Sequence, residues 1–425
     1  MSIRSLLEDT YIPKMYKVRQ HFEDNSMTAG EVEKELKDQL AAEMFTSQIK
    51  PGMSVCITAG SRGIDNYPLI IRTIVDYCKQ HGAEPFIIPA MGSHAGAVAE
   101  GQRAMLEGLG ISEETMGCPV RATMETVKIG VNEFGTDVYI DKYAAASDGI
   151  IVVNRIKPHT CFRGPYESGI MKMMAIGLGK QYGASICHDA GFGRMAVNIP
   201  AFGKTILANA PILFAVATLE NSFDKTCEVV VMNHDEIVDK EPIYQEKSKK
   251  IMPALLFDSA DLLVVDTIGK NFSGGGLDPN VTGTFVTPYC SGGLDPQRMA
   301  ILDLSPESHG NGNGAGMAHA CTRRYFEKVD FEQTYPNLIT SKVLENARIP
   351  AVMENDKLAI QLCLKTCTNI DKENPRVLRI RNTLSLGEIW ASEAYLDEIN
   401  ANDRLEIISG PDPMDFDEEG NLRDL

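Results

Sequence analysis

The chain has 425 residues, 44% hydrophobic and 23% charged, a balance that fits two or three folded domains and excludes disorder, collagen and coiled coil. Lys and Arg number 41 against 58 Asp and Glu, a net charge of −17, and a field of that sign repels nucleic acid and anionic membrane surfaces. No apolar run approaches the roughly eighteen residues of a membrane span, and Glu8 and Asp9 interrupt the stretch where a secretion signal would be apolar, so a cytoplasmic protein is expected.

Residues 2–48 read as helices, with mixed charges at helical spacing from Thr28 to Phe45. The rhythm changes at Pro51. Ser54 to Thr58 predicts a strand, AGSRG a turn, Pro68 to His81 a helix, Pro85 to Pro89 a strand and MGSHAG a second small-residue turn, which together make a βαβ unit. Gly149 to Asn154 is a fully apolar strand followed by the loop RIKPHTCFRGPYESG. Strands at Ile212 to Leu219 and Cys227 to Met232 complete the first sheet.

The segment from Asn233 to Pro253 is charged and contains two prolines and KSKK, which predicts a crossover between domains near residues 235–255. A second αβ series follows, with strands at Asp261 to Asp266, Met299 to Leu304, Ile349 to Met353 and Val377 to Ile380, and a helix over Ala315 to Lys328. The acidic tail after Pro411 is expected to fray. The fold class is therefore α/β: two αβα domains, 1–250 and 251–425, with largely parallel sheets and an active-site cleft between them.

In parallel sheets the loops at the carboxyl ends of the strands form the ligand crevice. Arg62, His94 and His159 each follow a predicted strand of the first domain, so all three are expected on one edge of one sheet. His94, His159 and His188 are set among glycines and prolines rather than on apolar helix faces, a placement that favours function. His21, His81 and His234 read as ordinary surface or helix residues, and His309 and His319 are undecided. The ten cysteines are scattered without metal-site spacing, which predicts free thiols packing as small hydrophobes, Cys161 and Cys187 included.

The segment from Lys157 to Arg194 holds the densest set of reactive groups. With the GSHAG loop around His94, the IKPHT loop around His159, the SGIMK segment with Lys172 and the later His188, the chain resembles the nickel-dependent lactate racemase family. That resemblance implies a nickel-pincer nucleotide cofactor, a pyridinium bisthiocarboxylate mononucleotide carrying nickel, tethered to Lys172 through a thioamide. It implies His188, sixteen residues later, as the nickel ligand, which favours Lys172 over Lys180 as the tether. It also implies His94 and His159 as acid and base, and Ser61 and Arg62 beside the cofactor. Ala59 and Gly63 depart from the family's usual acidic residue and proline, and the longer stretch to Lys172 contains Arg163, Tyr166 and Glu167, which points to a 2-hydroxy acid other than lactate.

Such a reaction needs a hydride acceptor, because no side chain takes a hydride, and two bases to serve both faces of a flat 2-oxo acid. No G-x-G-x-x-G follows a strand of the first unit, so a nicotinamide dinucleotide is disfavoured. Gly274 to Gly276 is either a flexible turn or an anion-binding backbone. Arg62, Arg163 and Lys270 are the candidate cations for the substrate carboxylate, Lys270 only if the second domain closes over the first. The expected activity is racemisation or epimerisation of a small 2-hydroxy acid, with cofactor-synthesis enzymes as partners and a homo-oligomer compatible with the chain. Two other readings stay open: a zinc or iron lyase or hydrolase sharing one metal among His94, His159 and His188, and a non-catalytic small-molecule binding protein.

Overall fold

The computed structural model describes residues 2–61 and 63–425, apart from the side chain of Thr340. Its contacts separate two compact units, one of Asp24–Met252 and one of Pro253–Leu425 together with the residues up to Glu23. In chain order the strands are Met15–Gln20 (β1), Ser54–Ala59 (β2), Glu84–Pro89 (β3), Thr126–Val131 (β4), Asp137–Asp141 (β5), Gly149–Arg155 (β6), Ile212–Glu220 (β7), Thr226–Asn233 (β8), Ser259–Ile268 (β9), Asp295–Leu304 (β10), Ala320–Thr322 (β11), Ala351–Met353 (β12), Val377–Ile380 (β13), Glu388–Ser392 (β14) and Leu405–Asp412 (β15).

The unit of Asp24–Met252 is built on a sheet of order β3-β2-β6-β7-β8, parallel except for β8, which returns antiparallel to β7. Its strands are apolar on both faces because helices cover both. Val55, Ile57, Ile151 and Val153 point to one side and pack with Val32, Leu36, Ile70 and Ile74 of the helices Ala29–Leu40 and Tyr67–Gln80. Cys56, Ile150 and Val152 point to the other and pack with Met171, Ile199, Phe202 and Ile206. This period-two division places consecutive residues of each strand in two separate cores. A small β4–β5 hairpin lies outside the main sheet, and the sequence reading did not anticipate it.

The second unit has an eight-stranded sheet of order β12-β11-β10-β9-β13-β14-β1-β15. The first five strands are parallel and the last three antiparallel. The reading of residues 2–48 as helices fails at β1, which pairs with β14 and β15 and carries the first residues into this unit rather than the other. Six residues with buried Met15, Val18 and Gln20 give too short an alternation to stand out beside helical charge spacing. The predicted helix over Ala315 to Lys328 also divides, with β11 between a short 3-10 turn and the helix Arg323–Lys328.

The tail after Pro411 is anchored rather than frayed. Leu422 is buried, its N–H donates to Asp356 Oδ2 at 2.8 Å, and Asp424 pairs with Arg379 at 2.9 Å. The segment read as a charged crossover is the helix Ile237–Ile251, with the crossing between units immediately after it. All ten cysteines are free thiols. Among the described residues no helix is long and apolar enough to cross a membrane.

Candidate active site

Because β3, β2 and β6 are adjacent and parallel, the loops that follow them leave one edge of the sheet. Arg62, in the loop after β2, lies outside the described residues. Its neighbour Ser61 does not, and its Oγ hydrogen-bonds His94 Nδ1 in the loop after β3. Gln102 braces that loop from below, donating from Nε2 to Gly92 O at 2.9 Å and to His94 O at 3.3 Å. Its Oε1 accepts from Lys180 Nζ at 2.9 Å, which also donates to Pro89 O at 2.6 Å and stands 3.4 Å from Asp141 Oδ2. Lys180 and Asp141 are fully buried, so this lysine is committed to holding the His94 loop.

The loop after β6 carries His159. Cys161 N–H donates to His159 Nδ1 at 3.0 Å, and Phe162 stacks on the imidazole at 4.6 Å between centroids. The His159 N–H donates to Glu167 Oε2 at 2.9 Å and the His159 carbonyl accepts from Arg163 Nη1 at 2.7 Å. Arg163 also lies 3.3 Å from Glu167. Buried Glu167 further accepts from Gly164 N–H at 3.2 Å and from Lys249 Nζ at 2.9 Å. A carboxylate with four donors around it is a rigid anchor rather than a free recognition group.

Lys172 ends the short helix Ile170–Lys172, and a π-helical segment, Met173–Leu178, leads on to the helix Lys180–His188. Asn154 at the end of β6 donates to Gly169 O at 2.8 Å. A Cβ on Gly60 would meet Met173 at 3.1 Å, and one on Gly92 would meet Ile176 at 3.3 Å. The ends of β2, β3 and β6 therefore all rest on the segment that carries Lys172. At the far end His188 Nδ1 donates to Ala184 O at 2.7 Å, while Phe192 stands 5.8 Å from both the His188 and His159 rings.

Burial lowers the pKa of His159 well below the ordinary 6.5, and the positive charges of Lys172, His188, Arg163 and Lys157 push it the same way. His159, Lys172 and His188 thus share one electrostatic neighbourhood. Among the described residues no three or more His, Cys, Asp or Glu side chains gather as a metal site. A single zinc or iron ion held by His94, His159 and His188 accordingly lacks its ligand set.

Residues 2–193 match the lactate racemase N-terminal domain. The first part of the chain is thus a lactate racemase N-terminal domain. Among solved structures, the lactate racemase apoprotein from Thermoanaerobacterium thermosaccharolyticum superposes with a TM-score of 0.54 at 14% identity, over 88% of this chain and 99% of that one. A protein from Thermotoga maritima gives a TM-score of 0.47, also at 14% identity, over 66% of this chain and 72% of that one. At such identity the likeness to the apoprotein is one of fold. No curated protein sequence matches the chain.

Within this fold, then, one unit holds Ser61, His94, His159, Arg163, Lys172 and His188. Lys270 belongs to the other unit, at the end of β9, where its Nζ donates to Gly274 O at 2.6 Å and its N–H to Ser308 Oγ at 2.9 Å. The sequence reading missed Gln102, Gln245 and Lys249 altogether and took Glu167 for a recognition residue. Their one local signal is that polar residues occupy the inward face of a helix: Glu241, Gln245 and Ser248 are the buried positions of Ile237–Ile251 after its first residue.

Proposed function

We propose that the protein is a racemase or epimerase of a small 2-hydroxy acid, acting by reversible hydride transfer with a nickel-pincer nucleotide tethered to Lys172. The observation that carries the reading is that Phe192 stands 5.8 Å from both the His159 and His188 rings, with the charge of Lys172 acting on that same His159. The residues suit the group. A carbonyl oxygen only accepts, so the His188 bond to Ala184 places the proton on Nδ1 and leaves the lone pair on Nε2, the donor a nickel ion wants. Lys172 is half-buried, whereas Lys180 spends its ammonium on Pro89, Gln102 and Asp141.

When bound, the cofactor supplies a hydride acceptor that returns the hydride to either face of the carbon. The chain supplies proton transfer and orientation. A backbone N–H only donates, so Cys161 holds His159 Nδ1 as an acceptor, and the neutral ring carries its proton on Nε2. His159 thereby offers the substrate oxygen a hydrogen bond from its Nε2–H. His94, steadied through Nδ1 by Ser61, is the complementary base at the hydroxyl. Arg62 and Arg163 are the cations assigned to the carboxylate in this unit.

Co-expression with the cofactor-making enzymes, intact-mass measurement and a chiral-chromatography screen over 2-hydroxy acids of different lengths test the reading together. A mass increment on Lys172 and nickel-dependent inversion of one acid are expected. An unmodified Lys172 with no inversion of any acid in the screen would overturn it.

A further inference from the structure

The helix Ile237–Ile251 faces inward with polar residues, which is unusual because a buried polar group needs a partner to offset its lost hydration. Glu241, Gln245 and Lys249 follow one another at four-residue spacing, so they form one stripe along the helix. Each finds its partner in the segment between His159 and Lys172. Lys249 Nζ pairs with Glu167 Oε1 at 2.9 Å. Gln245 Oε1 accepts from the N–H groups of Glu167 at 3.3 Å and Ser168 at 3.5 Å. Glu241 Oε2 accepts from Met171 N–H at 2.9 Å, one residue before Lys172.

Two further contacts tie the same surfaces. Tyr166 Oη donates to Val238 O at 2.6 Å. A Cβ on Gly169 would come within 2.2 Å of Glu241 Oε1, so the chain passes the carboxyl at a distance that a larger residue would not allow. Glu167, seated on Lys249, accepts in turn from the His159 N–H. The stripe therefore grips the loop just after His159 at one end and just before Lys172 at the other.

We infer that Glu241, Gln245 and Lys249 are positioning residues: one helix face fixes the separation and orientation of His159 and Lys172. The inference rests on the racemase reading for what those two residues do, though not for where they stand. A misplacement of about 1 Å at a reacting group costs on the order of a hundredfold in rate, which makes such a rigid stripe consequential.

The test uses the full chain, first without cofactor. The variants are Gln245→Ala and Lys249→Met, with Glu241→Gln as the conservative exchange that keeps an oxygen for the Met171 N–H. Histidine-selective NMR follows the titration of His159, and peptide mass spectrometry follows acylation of Lys172 by an amine-reactive ester. Gln245→Ala and Lys249→Met are expected to move the His159 midpoint up toward its ordinary value and to change Lys172 acylation several-fold, with Glu241→Gln close to the parent in both. In the cofactor-loaded enzyme kcat should fall about tenfold to a hundredfold for the two disruptive variants, with KM within about twofold.

Should Gln245→Ala not fold, Lys249→Met at the half-exposed end of the stripe carries the test alone. A folded variant with parental His159 titration and parental Lys172 acylation overturns the inference. A parent enzyme that inverts no hydroxy acid overturns the racemase reading instead, and the two apoprotein measurements still decide the positioning.

Discussion

His159 and His188 are held in opposite tautomers by their backbones. Nδ1 of His159 accepts from Cys161 N–H at 3.0 Å, whereas Nδ1 of His188 donates to Ala184 O at 2.7 Å. One imidazole thus offers an N–H from Nε2 and the other a lone pair from Nε2, the division that separates a hydrogen-bond donor from a metal ligand.

That division predicts two distinct losses. His188→Ala should lower bound nickel at least about tenfold while the mass increment on Lys172 persists. His159→Ala should keep both nickel and increment and lose about a hundredfold or more in inversion rate. Metal analysis and intact mass on the same samples separate these outcomes, and equal nickel loss in both variants would remove the tautomer assignment.

Lys172 and Lys180 are predicted to fail in different ways. Lys172→Ala should fold normally and carry no mass increment. Lys180→Met strands Asp141 as an unpaired charge where neither residue has exposed area, a defect that costs about 3–5 kcal/mol. Urea denaturation should register it as a lowered midpoint for Lys180→Met alone.

Burial raises the Glu241 carboxyl to about 8 from an ordinary 4.5. The folded chain therefore retains a proton that the unfolded chain releases over this range, so the contribution is fully present below about pH 4.5 and is lost as pH rises through 8. Burial raises Asp266 to about 6 as well, which adds a loss of the same sign at lower pH. Glu241→Gln should spare the folded state on the order of 3 kcal/mol of its decline between pH 5 and 8.5. Denaturation midpoints at several pH values, parent against variant, measure this, and parallel profiles would refute it.

The anchored tail gives a contrast between two acidic partners of one arginine. Arg379 is buried against Asp266 at 2.7 Å, while Asp424 is 45% exposed. Arg379→Met should destabilise by about 3–5 kcal/mol, because it leaves Asp266 uncompensated. Asp424→Asn should cost below about 1 kcal/mol. The same denaturation experiment ranks them, and equal costs would show the tail to be a main support of that sheet.

Local pattern determined a good part of this protein. The apolar run Gly149 to Val153, the βαβ rhythm from Ser54 to Pro89 and the histidines set among glycines or prolines after two of the strands are legible because a doubly covered parallel strand must be apolar on both faces and a strand-end loop must turn tightly. Tertiary structure alone decided the rest. β1 joins a sheet whose partner, Ile389 opposite Val18, lies hundreds of residues away. Glu167 and Gln245 became anchors only when a helix read as a crossover packed beneath the His159 loop, and the buried bracing role of Lys180 appeared only when Asp141 and Gln102 closed around it. Periodicity reports which face of an element is buried, whereas the partner of a buried polar group is set by chain segments that meet only after the fold has closed.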